Sequence, residues 1–208
     1  MEYEIRFYFS KKELNEILNK LKEIKELKYS GRFYEKTIQY NTTDPNNDFY
    51  SKEIDGRFRL RITKGDNISK SMLSWKRRLK DTSKGTINKE EEKETRINPE
   101  DFDNFIYVVE NVLKMNRVES YERYRNNFIN EEVEISVDEY PFGIALEIES
   151  KKDSNQEETI DKYVKLLNLK YEDSYRLSWD DKYAELCKKK NIEIKKDVLF
   201  EDKTIPEL

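Results

Sequence analysis

The sequence contains no histidine and a single cysteine, Cys187, among 208 residues. This excludes catalytic triads and metal sites built on imidazole, and it excludes an internal disulfide. A metal ion would have to be held by oxygen ligands, which favours Mg²⁺ or Mn²⁺ over zinc. Cys187 has no evident base beside it in the sequence, so we expect a small core residue and not a nucleophile.

Glycine and proline are also scarce, with 5 and 4 residues. The chain is very polar: 40% of its residues are charged, and its mean hydropathy is −1.03. Such a composition raises disorder as an alternative. The 12% of aromatic residues and the periodicity of most segments favour a folded protein instead.

Long apolar runs are absent, and the first residues lack a signal-peptide pattern, so we expect a cytoplasmic protein without a membrane partner. The net charge of −4 gives no overall attraction to nucleic acid. Any site for a polyanion must therefore come from a local arrangement of residues.

Alternation of apolar and polar residues predicts eight strands. They lie at 2–9, 32–40, 57–63, 72–79, 87–97, 120–128, 132–138 and 144–150. Capping residues and helical spacing predict four helices, which begin near Ser10, Asn98, Ser154 and Ser178. Loops are predicted at 41–48, 64–69 and 80–84. Many strands and few helices indicate an α+β fold with an antiparallel sheet or barrel.

Several strands carry charged residues on one face only. The alternating sets are Glu2, Glu4 and Arg6; Arg57, Arg59 and Arg61; Arg123 and Arg125; Glu147 and Glu149; and, less cleanly, Glu90, Glu92 and Glu94. For any one strand, a solvated face is the more common explanation. Like charges at positions i and i+2 repel, however, so a plain surface would mix charges with threonine and serine. Arginine also suits bidentate contacts with phosphate.

Closing these strands into a barrel would place the charged face inside and the apolar face under helices. Such an interior is unfavourable when empty, because charges lose their hydration. A metal-bound polyphosphate would balance it. We therefore predict an eight-stranded antiparallel closed β-barrel with a charged interior and flanking helices over residues 1–196, followed by a loose tail at 197–208.

The charged positions also form an ordered set of motifs along the chain. The set is Glu2-Tyr3-Glu4-Ile5-Arg6, Arg59-Leu60-Arg61, Lys76 after Ser74-Trp75, Arg123 with Arg125, and a closing group of Asp138, Gly143, Glu147 and Glu149. In this order they resemble the CYTH superfamily, the triphosphate tunnel metalloenzymes. That superfamily includes class IV adenylate cyclases, thiamine-triphosphatases, tripolyphosphatases and metal-dependent RNA triphosphatases. Arg6 replaces the commoner lysine, and Ile144 replaces the usual aromatic residue, so the resemblance selects no subfamily.

The resemblance implies a role for each set of residues. The implied metal ligands are Glu2, Glu4, Asp138, Glu147 and Glu149. The implied phosphate clamp is Arg6, Arg59, Arg61, Lys76, Arg123 and Arg125, to which strand phase adds Arg57. Catalysis is assigned to Glu4, Lys76 and Glu149, and Glu90, Glu92 and Glu94 would orient metal-bound water or the arginines. The implied cofactor is one or two Mg²⁺ or Mn²⁺ ions.

Three functions stay open at this point. The first is hydrolysis of a triphosphate, with inorganic tripolyphosphate, a nucleoside triphosphate or an RNA 5′-triphosphate as substrate. The second is the conversion of ATP to cyclic AMP and pyrophosphate by a class IV adenylate cyclase. The third is a non-catalytic protein that binds a triphosphate or an RNA 5′ end, and the sequence also leaves a homodimer open. A basic run of Trp75, Lys76, Arg77, Arg78 and Lys80 is a candidate RNA rim, although a solvated strand end is the favoured explanation.

Overall fold

The protein, represented by a computed structural model, is described here over residues 2–79 and 87–208. The strands in these ranges are β1 (Glu2–Phe9), β2 (Lys28–Asn41), β3 (Gly56–Gly65), β4 (Ile68–Arg78), β5 (Asn88–Ile97), β6 (Asn116–Ile129), β7 (Val133–Tyr140), β8 (Gly143–Ser150) and β9 (Asp197–Val198). The α-helices are α1 (Leu14–Glu23), α2 (Phe102–Tyr107), α3 (Gln156–Leu166) and α4 (Trp179–Lys190). The predicted loop at 80–84 lies outside the described residues, and so does Lys80 of the candidate RNA rim.

Strands β1 to β8 form one closed antiparallel barrel. Their order is β2-β3-β4-β5-β1-β8-β7-β6, and β6 pairs with β2 to close the ring. That closing ladder runs from Lys28 opposite Ile129 to Asn41 opposite Asn116. The predicted eight-stranded closed barrel is therefore confirmed, with β2 and β6 extending beyond their predicted ends.

Successive residues of β1 and β8 point to opposite sides of the barrel wall. On the outer side, Ile5 pairs in register with Ile148, and both are fully buried. Helices α1 and α3 cover this face through Leu21 and Ile160, which belong to the same apolar cluster. The charged residues that alternate with these apolar ones therefore face the barrel interior.

Three of the four predicted helices begin at their predicted capping residues, whereas the N-cap residue of α3 is Asn155 and not the predicted Ser154. Ser10 with Glu13 and Ser178 with Asp181 form capping boxes, in which each acidic side chain accepts a hydrogen bond from the serine backbone N–H. The side chain of Asn98 caps a short 3₁₀ turn that leads into α2. None of the helices in the described ranges is long and apolar enough to cross a bilayer.

Helix α4 packs on a second apolar cluster that contains Cys187. The thiol is fully buried beside Tyr183 and Leu186, which confirms the prediction of a core residue. Trp179, at the start of the helix, belongs to the same cluster and also lines the barrel interior. The N-terminal end of α4 therefore covers one end of the barrel.

Residues 197–208, which the sequence predicts to be a loose tail, pack against the barrel and α4. Strand β9 pairs in parallel with β6, where Val198 lies opposite Tyr121. Val198 and Ile205 are buried, and the backbone N–H of Leu208 donates to the carbonyl of Phe142 at 2.8 Å. The apolar residues of this segment are too scattered to show helical or strand periodicity. The sequence therefore does not predict that they pack against the barrel. The division at residue 196 stays a prediction.

Val198→Ala should lower the free energy of unfolding by about 2 kcal/mol, because the removed methyl groups are fully buried. Glu201→Ala, at an exposed position in the same segment, is the matched control and should change it by less than about 0.5 kcal/mol. Urea unfolding measures both. Equal stabilities of the two variants would contradict the anchoring of the tail.

Candidate active site

The barrel encloses a cavity of about 290 Å³ with a strongly charged lining. Every residue of the predicted phosphate clamp lines it, and so do the predicted acidic residues other than Asp138. Four further charged residues, which sequence reasoning missed as site residues, join them: Glu35, Lys70, Arg78 and Glu134. Among the described residues, nine basic and nine acidic side chains line the cavity, so its formal charge is balanced.

One part of the lining is a carboxylate cluster formed by Glu2, Glu4 and Glu90. Glu2 of β1 lies opposite Glu90 of β5 in the strand pairing. Each of the three offers a carboxylate oxygen, and these oxygens lie within 4.8 Å of one another. Oxygen ligands at such spacing suit a hard divalent cation. The resemblance implies only an orienting role for Glu90, whereas its position groups it with Glu2 and Glu4, which the resemblance implies to be metal ligands.

Lys76 lies at the centre of this carboxylate cluster. Its Nζ is 2.6 Å from Glu90 Oε2, 2.9 Å from Glu2 Oε2 and 3.3 Å from Glu4 Oε2. Burial disfavours the charged ammonium, but Glu4 and Glu2 outweigh this and raise the pKa of Lys76. In the free protein, a lysine therefore supplies the positive charge that these carboxylates need.

Glu149 extends the acidic side of the cavity, since it pairs in register with Glu4. Burial raises its pKa to about 8, and the nearby charge of Glu2 adds to the effect. Burial also raises the pKa of Glu2 to about 7. At neutral pH the two carboxyl groups are thus partly protonated, and a bound cation would favour their ionised forms.

The other side of the cavity is built from arginines on β3 and β6. Arg59 contacts Glu92 at 2.6 Å and donates from Nε to Ser74 at 3.1 Å. Arg61 donates from Nε to Thr37 at 3.2 Å. Each guanidinium is held by strand residues, so its position is fixed before any ligand binds.

Asp138 lies behind the arginines of β6. It is fully buried, its Oδ2 accepts hydrogen bonds from Arg123 and Arg125 at 2.7 Å each, and its Oδ1 accepts another from Arg125 at 2.7 Å. Glu147 holds Arg125 at 2.9 Å and also contacts Arg6. With both oxygens occupied by guanidinium groups, Asp138 is placed to position the arginines; the metal role implied by the resemblance stays a prediction.

Comparison with known proteins identifies the architecture. No family model matches the sequence, and no curated protein matches it. Among solved structures, a protein from Pyrococcus horikoshii OT3 aligns with a TM-score of 0.69 at 23% identity, over 89% of this chain and 99% of that chain. A candidate adenylate cyclase from Vibrio parahaemolyticus gives 0.64 at 16% identity, over 86% and 96%. A candidate adenylyl cyclase from Hippeastrum, described with a dominant triphosphatase activity, gives 0.60 at 16% identity, over 89% and 96%.

The chain shares the fold of these proteins, a closed eight-stranded barrel whose charged interior we call the tunnel. At these identities the likeness establishes the fold alone.

Glu35 also lines the tunnel, although the sequence motifs do not include it. Glu35 lies opposite Arg123 across the β2–β6 ladder and contacts it at 2.6 Å. Its strand phase, shared with the buried polar residues Thr37 and Gln39, was the available signal.

The candidate RNA rim is divided between the two sides of the tunnel wall. Trp75 packs on Phe49 with ring centroids 5.0 Å apart. Arg77 contacts Glu91 on β5 at 2.6 Å and is exposed, whereas Arg78 lines the cavity. Consecutive residues of a strand point in opposite directions, so Arg77 and Arg78 do not form one basic surface.

Glu119 lies at the end of the tunnel that α4 covers. Gln39 donates to its carboxylate. Burial, with the nearby charge of Asp180, raises the pKa of Glu119 to about 8. This end of the tunnel therefore contains a carboxyl group that stays largely protonated at neutral pH.

Glu119→Gln should stabilise the protein more as the pH rises. The unfolded carboxyl ionises at its ordinary pKa of 4.5 and the folded one at about 8. The wild-type carboxyl therefore costs stability progressively between these values, and glutamine does not. Urea unfolding at about pH 5 and about pH 9 measures the difference between variant and wild type. Glu131→Gln, at an exposed position, is the matched control. A difference between Glu119→Gln and wild type that is constant with pH would contradict the assigned pKa shift.

Asp138→Asn should lower the free energy of unfolding by about 3 kcal/mol, because two buried guanidinium groups lose their charged partner. Its Mn²⁺ affinity should stay near that of the wild type, whereas Glu4→Gln should lower it. Urea unfolding and Mn²⁺ titration give the two readouts. Normal stability with lost Mn²⁺ binding would make Asp138 a metal ligand instead.

Proposed function

We propose that the tunnel hydrolyses a triphosphate substrate in a reaction that depends on a divalent cation. The main support for the proposal is that the carboxylate cluster and the fixed arginines face each other within one cavity. A triphosphate brings closely spaced negative charges, which charge-assisted hydrogen bonds from arginine and carboxylate-bound cations neutralise. The triphosphatase activity of the Hippeastrum protein, which shares the fold, supports the same reaction.

The donor set fits the cation that this reaction needs. Glu2, Glu4 and Glu90 offer oxygen atoms within 4.8 Å of one another, which suits Mg²⁺ or Mn²⁺. When bound, such a cation would supply a Lewis acid that neutralises phosphate oxygens and activates water. The cytoplasmic location and the option of a homodimer stay predictions.

The chain's own residues would bind and orient the phosphate groups. Arg59 and Arg61 of β3 face the cavity together with Arg123 and Arg125 of β6. Their guanidinium groups are already fixed by strand residues, so little reorganisation is needed when negative charge develops on the phosphoryl oxygens. Lys76 would provide a further positive charge beside the carboxylates.

A class IV adenylate cyclase is the alternative, favoured by the likeness to the Vibrio parahaemolyticus candidate. The same tunnel would hold the triphosphate of ATP. The ribose 3′-hydroxyl would then attack the α-phosphorus and pyrophosphate would leave. The two reactions differ in which phosphorus atom is attacked, and therefore in their products.

A substrate panel separates these functions. Inorganic tripolyphosphate, ATP, thiamine triphosphate and 5′-triphosphate RNA are each incubated with the protein under Mg²⁺ and under Mn²⁺. We expect release of orthophosphate from at least one of them. Cyclic AMP with pyrophosphate would establish the cyclase instead, and tight binding without any product would establish a binding protein.

Glu4→Gln and Glu149→Gln should each abolish turnover while the protein stays folded, because each removes one carboxylate from the acidic side of the tunnel. Glu91→Gln is the matched control, since Glu91 is on β5 but contacts Arg77 outside the cavity. Initial rates and circular dichroism measure the effects. Full activity of both tunnel variants would contradict the assignment.

A further inference from the structure

Arg57 and Arg78 form a pair at the end of the cavity where β3 begins and β4 ends. Strand phase adds Arg57 to the clamp, whereas Arg78 belongs to the basic run that is the candidate RNA rim. Their side chains are only 15% and 13% exposed. Both line the cavity, beside the start of α4, where Arg57 Nη2 donates to Ser178 Oγ at 2.9 Å.

A single carboxylate holds the two guanidinium groups. Asp55 Oδ1 lies 2.9 Å from Arg57 Nη1, and Asp55 Oδ2 lies 3.2 Å from Arg78 Nη1. Each oxygen thus serves one arginine. The bridge fixes the distance between two side chains that come from neighbouring strands.

The backbone conformation and contacts around Asp55 hold this bridge in place. Asp55 has a φ of 47°, in the left-handed region, and its carbonyl accepts a hydrogen bond from the backbone N–H of Arg78 at 3.1 Å. A Cβ atom on Gly56 would come within 2.3 Å of the Trp75 ring, so only glycine fits the next position. These contacts specify the turn closely.

Two buried donors of the pair have no partner in the described part of the chain, and the positive charge of Arg78 is only partly compensated. The Nε atoms of Arg57 and Arg78 are buried and have no hydrogen-bond partner among the described residues. Glu90 Oε1 is 3.6 Å from Arg78 Nε, beyond hydrogen-bond distance. Burial lowers the pKa of Arg78, Asp55 opposes this, and the charges of Arg57 and Arg6 add to the lowering. Burial also opposes the charge of Arg57, but Asp180 and Asp55 outweigh this and raise its pKa. An anion in the cavity beside Arg78 would favour its charged form.

We propose that Arg57 and Arg78, bridged by Asp55, form a further anion subsite that takes a phosphoryl group beyond those of a bound triphosphate. The inference rests on the proposed function, because it assumes that the remaining arginines hold the triphosphate. The phosphoryl group is either the next unit of a longer inorganic polyphosphate or a separate orthophosphate. In the first case, the subsite extends the tunnel's substrates to polyphosphate chains of more than three units.

The direct test compares the affinities of tripolyphosphate and tetrapolyphosphate by calorimetry, with EDTA present to prevent turnover. The wild-type protein should bind tetrapolyphosphate about tenfold more tightly, as expected for one added charge-assisted contact. Arg78→Gln should abolish most of this preference, and Arg78→Lys should keep part of it. The matched control is Arg77→Gln, which removes an equal charge from the outer face of the same strand. An equal preference in Arg78→Gln and Arg77→Gln would overturn the proposal for the chain's next unit.

A second arm distinguishes the sources of the phosphoryl group. Orthophosphate is titrated into protein saturated with tripolyphosphate. Binding that Arg78→Gln removes would assign the subsite to orthophosphate, and no binding together with a tetrapolyphosphate preference would assign it to the chain. If the protein binds tripolyphosphate but shows neither a preference for tetrapolyphosphate nor binding of orthophosphate, only the subsite is overturned. If wild-type protein neither binds nor converts tripolyphosphate, with or without Mg²⁺, the proposed function fails as well.

Discussion

A charged side chain removed from water is stable only beside a charge of the opposite sign, and this constraint organises the interior of the barrel. Arg123 has Glu35 and Asp138, Arg59 has Glu92, and Lys76 lies among glutamates. Because these pairs fix the basic groups before any ligand binds, the cavity would be preorganised for the proposed polyanion and its cations. A ligand that brings both signs of charge replaces the internal pairs without leaving a charge unmatched.

Much of the fold was predictable from the sequence. The alternation in β1 and β8 is clean, since Ile5 and Ile148 bury one face while charged residues occupy the other. The capping boxes at Ser10 and Ser178 mark helix starts through local hydrogen bonds alone. Strand β9 was not predictable, because two residues carry no period and their place depends on a parallel pairing with β6, far away in the sequence.

The candidate site was predictable to the extent that like charges repeat along one strand. Isolated charges such as Glu35 and Lys70 give no such repeat, and only the arrangement of neighbouring strands in the barrel shows that they face inward. The bridge from Asp55 to two arginines depends on a turn, and its partners lie on separate strands. The sequence resemblance implies only an orienting role for Glu90. Strand register places Glu90 opposite Glu2, and it therefore belongs to the carboxylate cluster.

The central claim is that the charged tunnel binds a triphosphate together with a divalent cation. The thermal unfolding midpoint of the wild-type protein, measured against tripolyphosphate concentration with and without Mg²⁺, tests it most directly. Selective binding to the folded state predicts a midpoint that rises with ligand concentration, and rises further when both ligands are present. A midpoint that does not change, or that changes no more than with sulfate at equal ionic strength, would contradict the claim.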